Sequence, residues 1–114
     1  MKPLELARAA VDTASDKQAT DIVLLDVQPA TSFTDYLVIM SAGSQRQLVA
    51  VADDVEYALK QKGVTPHHRE GSADSGWVLL DYVDVVIHVF SEEQRDFYRL
   101  EQIWKQAKPL VRIQ

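Results

Sequence analysis

The 114-residue chain contains no cysteine, which removes disulfides, thiolate metal sites and cysteine nucleophiles together. Long apolar runs are missing as well. Nothing approaches the ~20 consecutive apolar residues that span a bilayer, so no membrane association is expected. The N-terminal stretch MKPLELARAAVDTASDK has no continuous apolar centre and carries Glu5, Asp12 and Asp16. Neither a secretory signal nor a transit peptide has that pattern, so a cytoplasmic protein is expected. Basic charge is in deficit, with 12 Lys and Arg against 17 Asp and Glu and a formal charge of −5. Without a basic stripe to displace counterions, direct sequence-specific binding to nucleic acid is not expected. A basic protein that itself sits on nucleic acid is still an open partner. With only four glycines and four prolines, the chain has no linker or low-complexity tract, and its length predicts a single domain over residues 1–114.

What is present alternates between helix and strand patterns. Pro3 suits a first helical turn, and Leu4, Ala7, Val11 and Ala14 recur on one face of a helix running to about Lys17. DIVLLDV (21–27) and DYLVIMS (35–41) are nearly continuous apolar runs, as in strands buried on both faces. Ser44 with Gln47 makes a capping box. Leu48, Val51, Ala52, Val55 and Leu59 then form one helical stripe, which Gly63 stops. Residues 64–69 read as a short edge strand because of Pro66 and the paired histidines, and 70–76 as a polar loop. WVLLDY (77–82) and VVIHVF (85–90), two residues apart, read as an antiparallel hairpin. Ser91 and Gln94 cap a last helix whose inward stripe is Phe97, Leu100, Ile103, Trp104 and Ala107, ended by Pro109. The order α-β-β-α-β-β-β-α predicts an α/β (α+β) fold, with a mixed sheet of about five strands flanked by helices. The helical crossover after residue 41 favours a parallel, right-handed link to the next paired strand.

Charge is concentrated in one stretch. Residues 70–101 hold eight carboxylates against Arg95 and Arg99, a local charge of −6, together with Trp77, Tyr82, Phe90, Phe97 and Tyr98. Acid and aromatic side chains in one place point to a surface that grips something basic. Strand alternation puts Trp77, Leu79 and Asp81 on one face, and an aspartate beside two large apolar groups implies that this face is partly open. Tyr98 and Glu101 project about 100° away from the inward helical stripe, so Trp77 and Tyr98 could meet within a rim of Asp81, Glu93 and Glu101.

Enzyme-like features are weaker than this block. Gly43-Ser44 at a helix start could hold a phosphate, and equally forms an ordinary turn and cap. Paired with Asp81, it defines the alternative function, a nucleotide-binding or nucleotidyl-transferring enzyme. Nucleotidyl transfer needs two carboxylates converging on a metal, usually from alternate residues of a strand. Asp81 and Asp84 instead flank a reversal of the chain, where Asp84 suits a hairpin turn. His67 and His68 point to opposite sides of a strand, and His88 stands alone in an apolar run as a structural histidine would. No serine has an identifiable base and orienting acid. Catalytic residues, metal and cofactor are therefore all expected to be absent.

Taken together, DIVLLDV, TDYLVIMSAGSQRQLVAVADDV, EG before GWVLLDYVDVVIHVF, and RDFYRLEQIW resemble the ribosomal silencing factor (RsfS, iojap-like) family from Asp21 to Trp104. That resemblance implies a nucleotidyltransferase-like core without the catalytic carboxylate pair, and a non-enzymatic translational repressor. It further implies binding to the large ribosomal subunit through basic ribosomal protein fourteen, obstructing the small subunit. Carried over by position, it makes Trp77, Leu79, Asp81, Arg95, Tyr98 and Glu101 the partner-binding residues. A homodimer through the same surface is compatible with it. Two departures stand out: Tyr82-Val83-Asp84 replaces Tyr-Gly-Asp, and Met40 replaces a frequent cysteine.

Overall fold

The computed structural model describes residues 1–99 and 106–114, and at 97 and 98 the backbone alone. Its elements run α1 (Pro3–Asp16), β1 (Thr20–Asp26), β2 (Tyr36–Ala42), α2 (Gln45–Gln61), β3 (His68–Ser72), β4 (Trp77–Asp81), β5 (Val85–Ser91), α3 (Glu92–Tyr98) and β6 (Lys108–Ile113). They form one mixed six-stranded sheet in the order β3-β4-β5-β2-β1-β6. Among the described strands only β2 and β5 pair in parallel, and the other pairs are antiparallel. The crossover from β2 thus meets β5, with the β3–β4 pair added outside it.

Local signals account for most boundaries. The Ser44 hydroxyl accepts the Gln47 N–H at 3.1 Å, while Gln47 Oε1 reaches back to the N–H of Gly43 at 2.7 Å. At the other end of α2, the N–H groups of Gly63 and Val64 donate to the carbonyls of Lys60 and Leu59. Gly63 has φ 86°, so this is a Schellman closure on a glycine that adopts the left-handed region without cost.

Helices α1 and α2 pack Ala7, Ala10, Val11, Leu48, Val51, Val55 and Leu59 onto Ile22, Leu24, Val38, Met40, Val78, Leu80, Ile87 and Val89. A smaller cluster on the opposite face holds Val23, Leu25, Val27, Leu37, Ile39 and Phe90. Strands β1 and β2 are therefore buried on both faces, as their unbroken apolar runs predict.

Three expectations are corrected. The sheet has six strands, because residues 108–113 extend along β1 where the sequence pattern predicts only the end of a helix. Pro109 is tolerated at this outer edge beside a register shift, whereas a central strand would lose a ladder bond. Helix α3 closes at Arg99, whose φ of 46° is left-handed; the expected stripe at Leu100, Ile103 and Trp104 lies outside the described residues. Finally, the edge strand begins at His68 and takes in Glu70-Gly71-Ser72, which read as loop from their polar side chains. Backbone pairing to β4 decides the matter there, since all five residues of β3 are exposed.

Candidate functional site

The face of the β3–β4–β5 corner opposite α1 and α2 carries the candidate site. Registry places His68, Glu70 and Ser72 opposite Asp81, Leu79 and Trp77, which in turn face Val86, His88 and Phe90. Val78 and Leu80 are fully buried beneath the helices, while Trp77, Leu79 and Asp81 alternate with them and stay partly exposed. The open face read from strand alternation is therefore present.

Trp77 is held rather than loose. Its indole N–H donates to His88 Nδ1 at 3.0 Å, and its ring lies 4.9 Å from Phe90 and 5.7 Å from His88 between centroids. That bond fixes neutral His88 as the Nε2–H tautomer. Burial pushes the His88 pKa down to about 4, so near neutral pH the ring remains the acceptor that the indole needs.

Beside Trp77 a groove of about 230 Å³ is lined by Glu70, Gly71, Ser75, Trp77 and Leu79. Gly71 builds that wall: at its φ of 96° a Cβ would lie 1.9 Å from the Trp77 carbonyl oxygen. At the far end of the ridge Asp81 Oδ1 accepts the Val83 N–H at 2.7 Å. Val83 has φ 72° and is spanned by an Asp84 N–H to Tyr82 carbonyl bond of 2.9 Å, the pattern of a γ-turn. A β-branched side chain in that region stores roughly 1–2 kcal/mol, which the glycine of the resembled Tyr-Gly-Asp turn would not.

The other expected contact residues fare differently. Arg95 is 5% exposed and is not an open contact. One turn into α3 it points back across the strand ends, donating to Ser41 Oγ at 3.0 Å and pairing with Asp21 at 3.4 Å. Asp21 also receives Arg112 of β6 at 3.1 Å, so the guanidinium ties α3 to β1 and β2 beside β6. The Tyr98 side chain and Glu101 lie outside the described residues, and with them the expected meeting of Trp77 and Tyr98. The acidic block is also divided. Glu70 and Asp81 share the Trp77 face, while Asp74, Glu92 and Glu93 line a separate cleft with Gly43, Ser44 and Ser91.

That cleft bears on the enzymatic alternative. Gln47 Oε1 already occupies the Gly43 N–H, and the surrounding carboxylates would repel a phosphate. Asp81 lies at the opposite end of β4, about 13 Å of strand from Trp77, so Gly43-Ser44 and Asp81 do not form one site. Among the described residues no group of three or more His, Asp or Glu could hold a metal ion. Sequence reasoning missed His88 as the support of Trp77. The signal was available, because a two-residue turn sets the registry that brings the two strands' side chains together.

Over residues 1–114 the chain matches the family described as RsfS, ribosomal silencing factor during starvation. It belongs to the ribosomal silencing factor family. The chain is 32% identical to the ribosomal silencing factor RsfS of Halalkalibacterium halodurans, over 100% of this chain and 97% of that protein. Against RsfS of Bacillus subtilis it is 36% identical, covering 91% and 86%. A crystal structure of a Chromobacterium violaceum protein superposes with a TM-score of 0.88 at 34% identity, covering 92% of this chain and 88% of that one. More distant similarity, 33% identity over 82% of this chain and 42% of the relative, reaches a Mus musculus protein named mitochondrial assembly of ribosomal large subunit protein 1. The names of these RsfS relatives describe regulators rather than enzymes. Among the described residues no helix is long and apolar enough to cross a membrane.

Proposed function

We propose that this chain represses translation by binding the large ribosomal subunit through ribosomal protein fourteen and blocking small-subunit joining, with no catalytic step. One observation supports this reading above the others: the ridge Trp77–Leu79–Asp81 is partly exposed, and its indole is fixed by His88 and Phe90 in a member of this family. A rigid, partly exposed tryptophan loses little entropy on docking and suits an interface anchor. Asp81 and Glu70 supply carboxylates beside it for Lys or Arg of a basic partner. Tyr98 and Glu101 complete the proposed contact set, while Arg95 serves it from inside by holding α3 in place. The relative named for assembly of the ribosomal large subunit agrees with that choice of subunit.

Co-sedimentation of the purified chain with separated ribosomal subunits tests the proposal. Binding to large subunits alone is expected, and Trp77→Ala should lose about 2 kcal/mol or more. Glu92→Ala should cost well under about 1 kcal/mol, as an exposed charge does. Equal losses from the two variants, or binding to small subunits, would reject the assignment.

A further inference from the structure

Two of the most exposed large apolar side chains, Phe33 at 89% and Val83 at 54%, stand at the same end of the sheet. Phe33 belongs to the loop between β1 and β2, and Val83 to the turn between β4 and β5. The N–H groups of Asp35 and Tyr36 stitch these loops together by donating to the Asp84 carbonyl at 2.9 and 3.1 Å. Asp26, Asp35, Asp81 and Asp84 all lie at this end and are at least partly exposed. Lys108 is a cation in strand register there, opposite Asp26, while Lys60 and Lys62 end α2 on the helix side of the sheet. The turn also holds a β-branched residue in a backbone conformation that glycine would take more easily. Burial does not offset that strain, since Val83 belongs to neither core cluster of the described residues and is largely exposed.

We infer that this loop end, with Phe33 and Val83 as apolar contacts inside a carboxylate rim, is an interaction surface for a cationic protein segment bearing an apolar side chain. The rim repels phosphate, so the occupant is protein rather than RNA. Asp81 belongs both to this end and to the Trp77 ridge, which makes the two one continuous surface bent around the corner of the sheet. The inference rests on the large-subunit reading above, in that the cationic segment is supplied by a protein of that subunit.

Affinity of the full chain for purified large subunits is measured for Phe33→Ser, Val83→Gly and Trp77→Ala, with thermal unfolding recorded for each. Both loop variants are expected to weaken binding by roughly threefold or more, as removing an apolar side chain from an interface does. Val83→Gly separates binding from folding, because relief of the positive-φ strain raises its melting temperature while its affinity falls. Phe33→Ser should leave the melting temperature unchanged. A smaller loss of affinity in either loop variant, with Trp77→Ala still impaired, overturns the inference and leaves the ridge standing. A silent Trp77→Ala, or no wild-type binding, removes the large-subunit reading itself. Loop variants that alter self-association in sedimentation without altering subunit affinity overturn it too, since a second copy would then be the occupant.

Discussion

His88 sits under Trp77 as a buried base whose pKa falls from an ordinary 6.5 to about 4 through burial. In the unfolded chain the same imidazole takes up a proton near pH 6.5, while in the fold it resists until about pH 4. Between those values the unfolded state binds more protons, so stability falls as pH falls and is fully present above about pH 7. The whole excursion is worth roughly 3 kcal/mol, and about 2 kcal/mol of it should be missing at about pH 5. Urea midpoints at about pH 7.5 and pH 5 measure this loss, and His88→Phe should flatten the difference. A slope that survives in His88→Phe would assign the effect to other groups. Protonation also removes the acceptor of the Trp77 indole, so tryptophan fluorescence should change along with stability. A structural histidine was legible from its solitary place in an apolar strand; its bond to Trp77 was overlooked, although the two-residue turn sets the registry that brings the two side chains together.

At the level of elements, α3 is seven residues long, too short to persist without tertiary support. Arg95 supplies much of that support through Ser41 and Asp21. Arg95→Leu should lower global stability by about 2 kcal/mol, since it strips the buried Ser41 hydroxyl of its arginine donor and leaves the partly exposed Asp21 carboxylate with Arg112. Amide hydrogen exchange should show protection lost at 92–98 ahead of 77–81; equal protection would reject the clamp. The helical pattern was enough to place this arginine in a helix but not to bury it, because its partners lie 54 and 74 residues earlier in the chain. Capping signals at Ser44, Gly63 and Ser91 were local and therefore readable. Strand β6 was not, because Pro109 reads as a stop unless the strand's place at the sheet edge is known. For β3, the polar side chains of Glu70 and Ser72 concealed a backbone that pairs along β4.

For the whole molecule, the formal charge of −5 and pI near 5.0 set how it meets a basic partner. Raising salt should slow association with large subunits more than it speeds release, because long-range steering is screened while the Trp77 contact is not. Stopped-flow rates at two ionic strengths check this, and a change confined to release would contradict it. The concentration of acid in residues 70–101 was visible in the sequence, but its division between the open ridge and the Gly43 cleft depends on how β4 and α3 are set.

The parallel seam between β2 and β5 joins residues 36–42 to residues 85–91 across the middle of the sheet. During synthesis the antiparallel β1–β2 pair leaves the exit tunnel before its central neighbour does. One flank of β2 must therefore wait, its apolar side chains unsheltered, until most of the polypeptide has been made. Translation is thus the period in which this protein is most open to mispairing, and a chain cut short before β5 would have no middle to close.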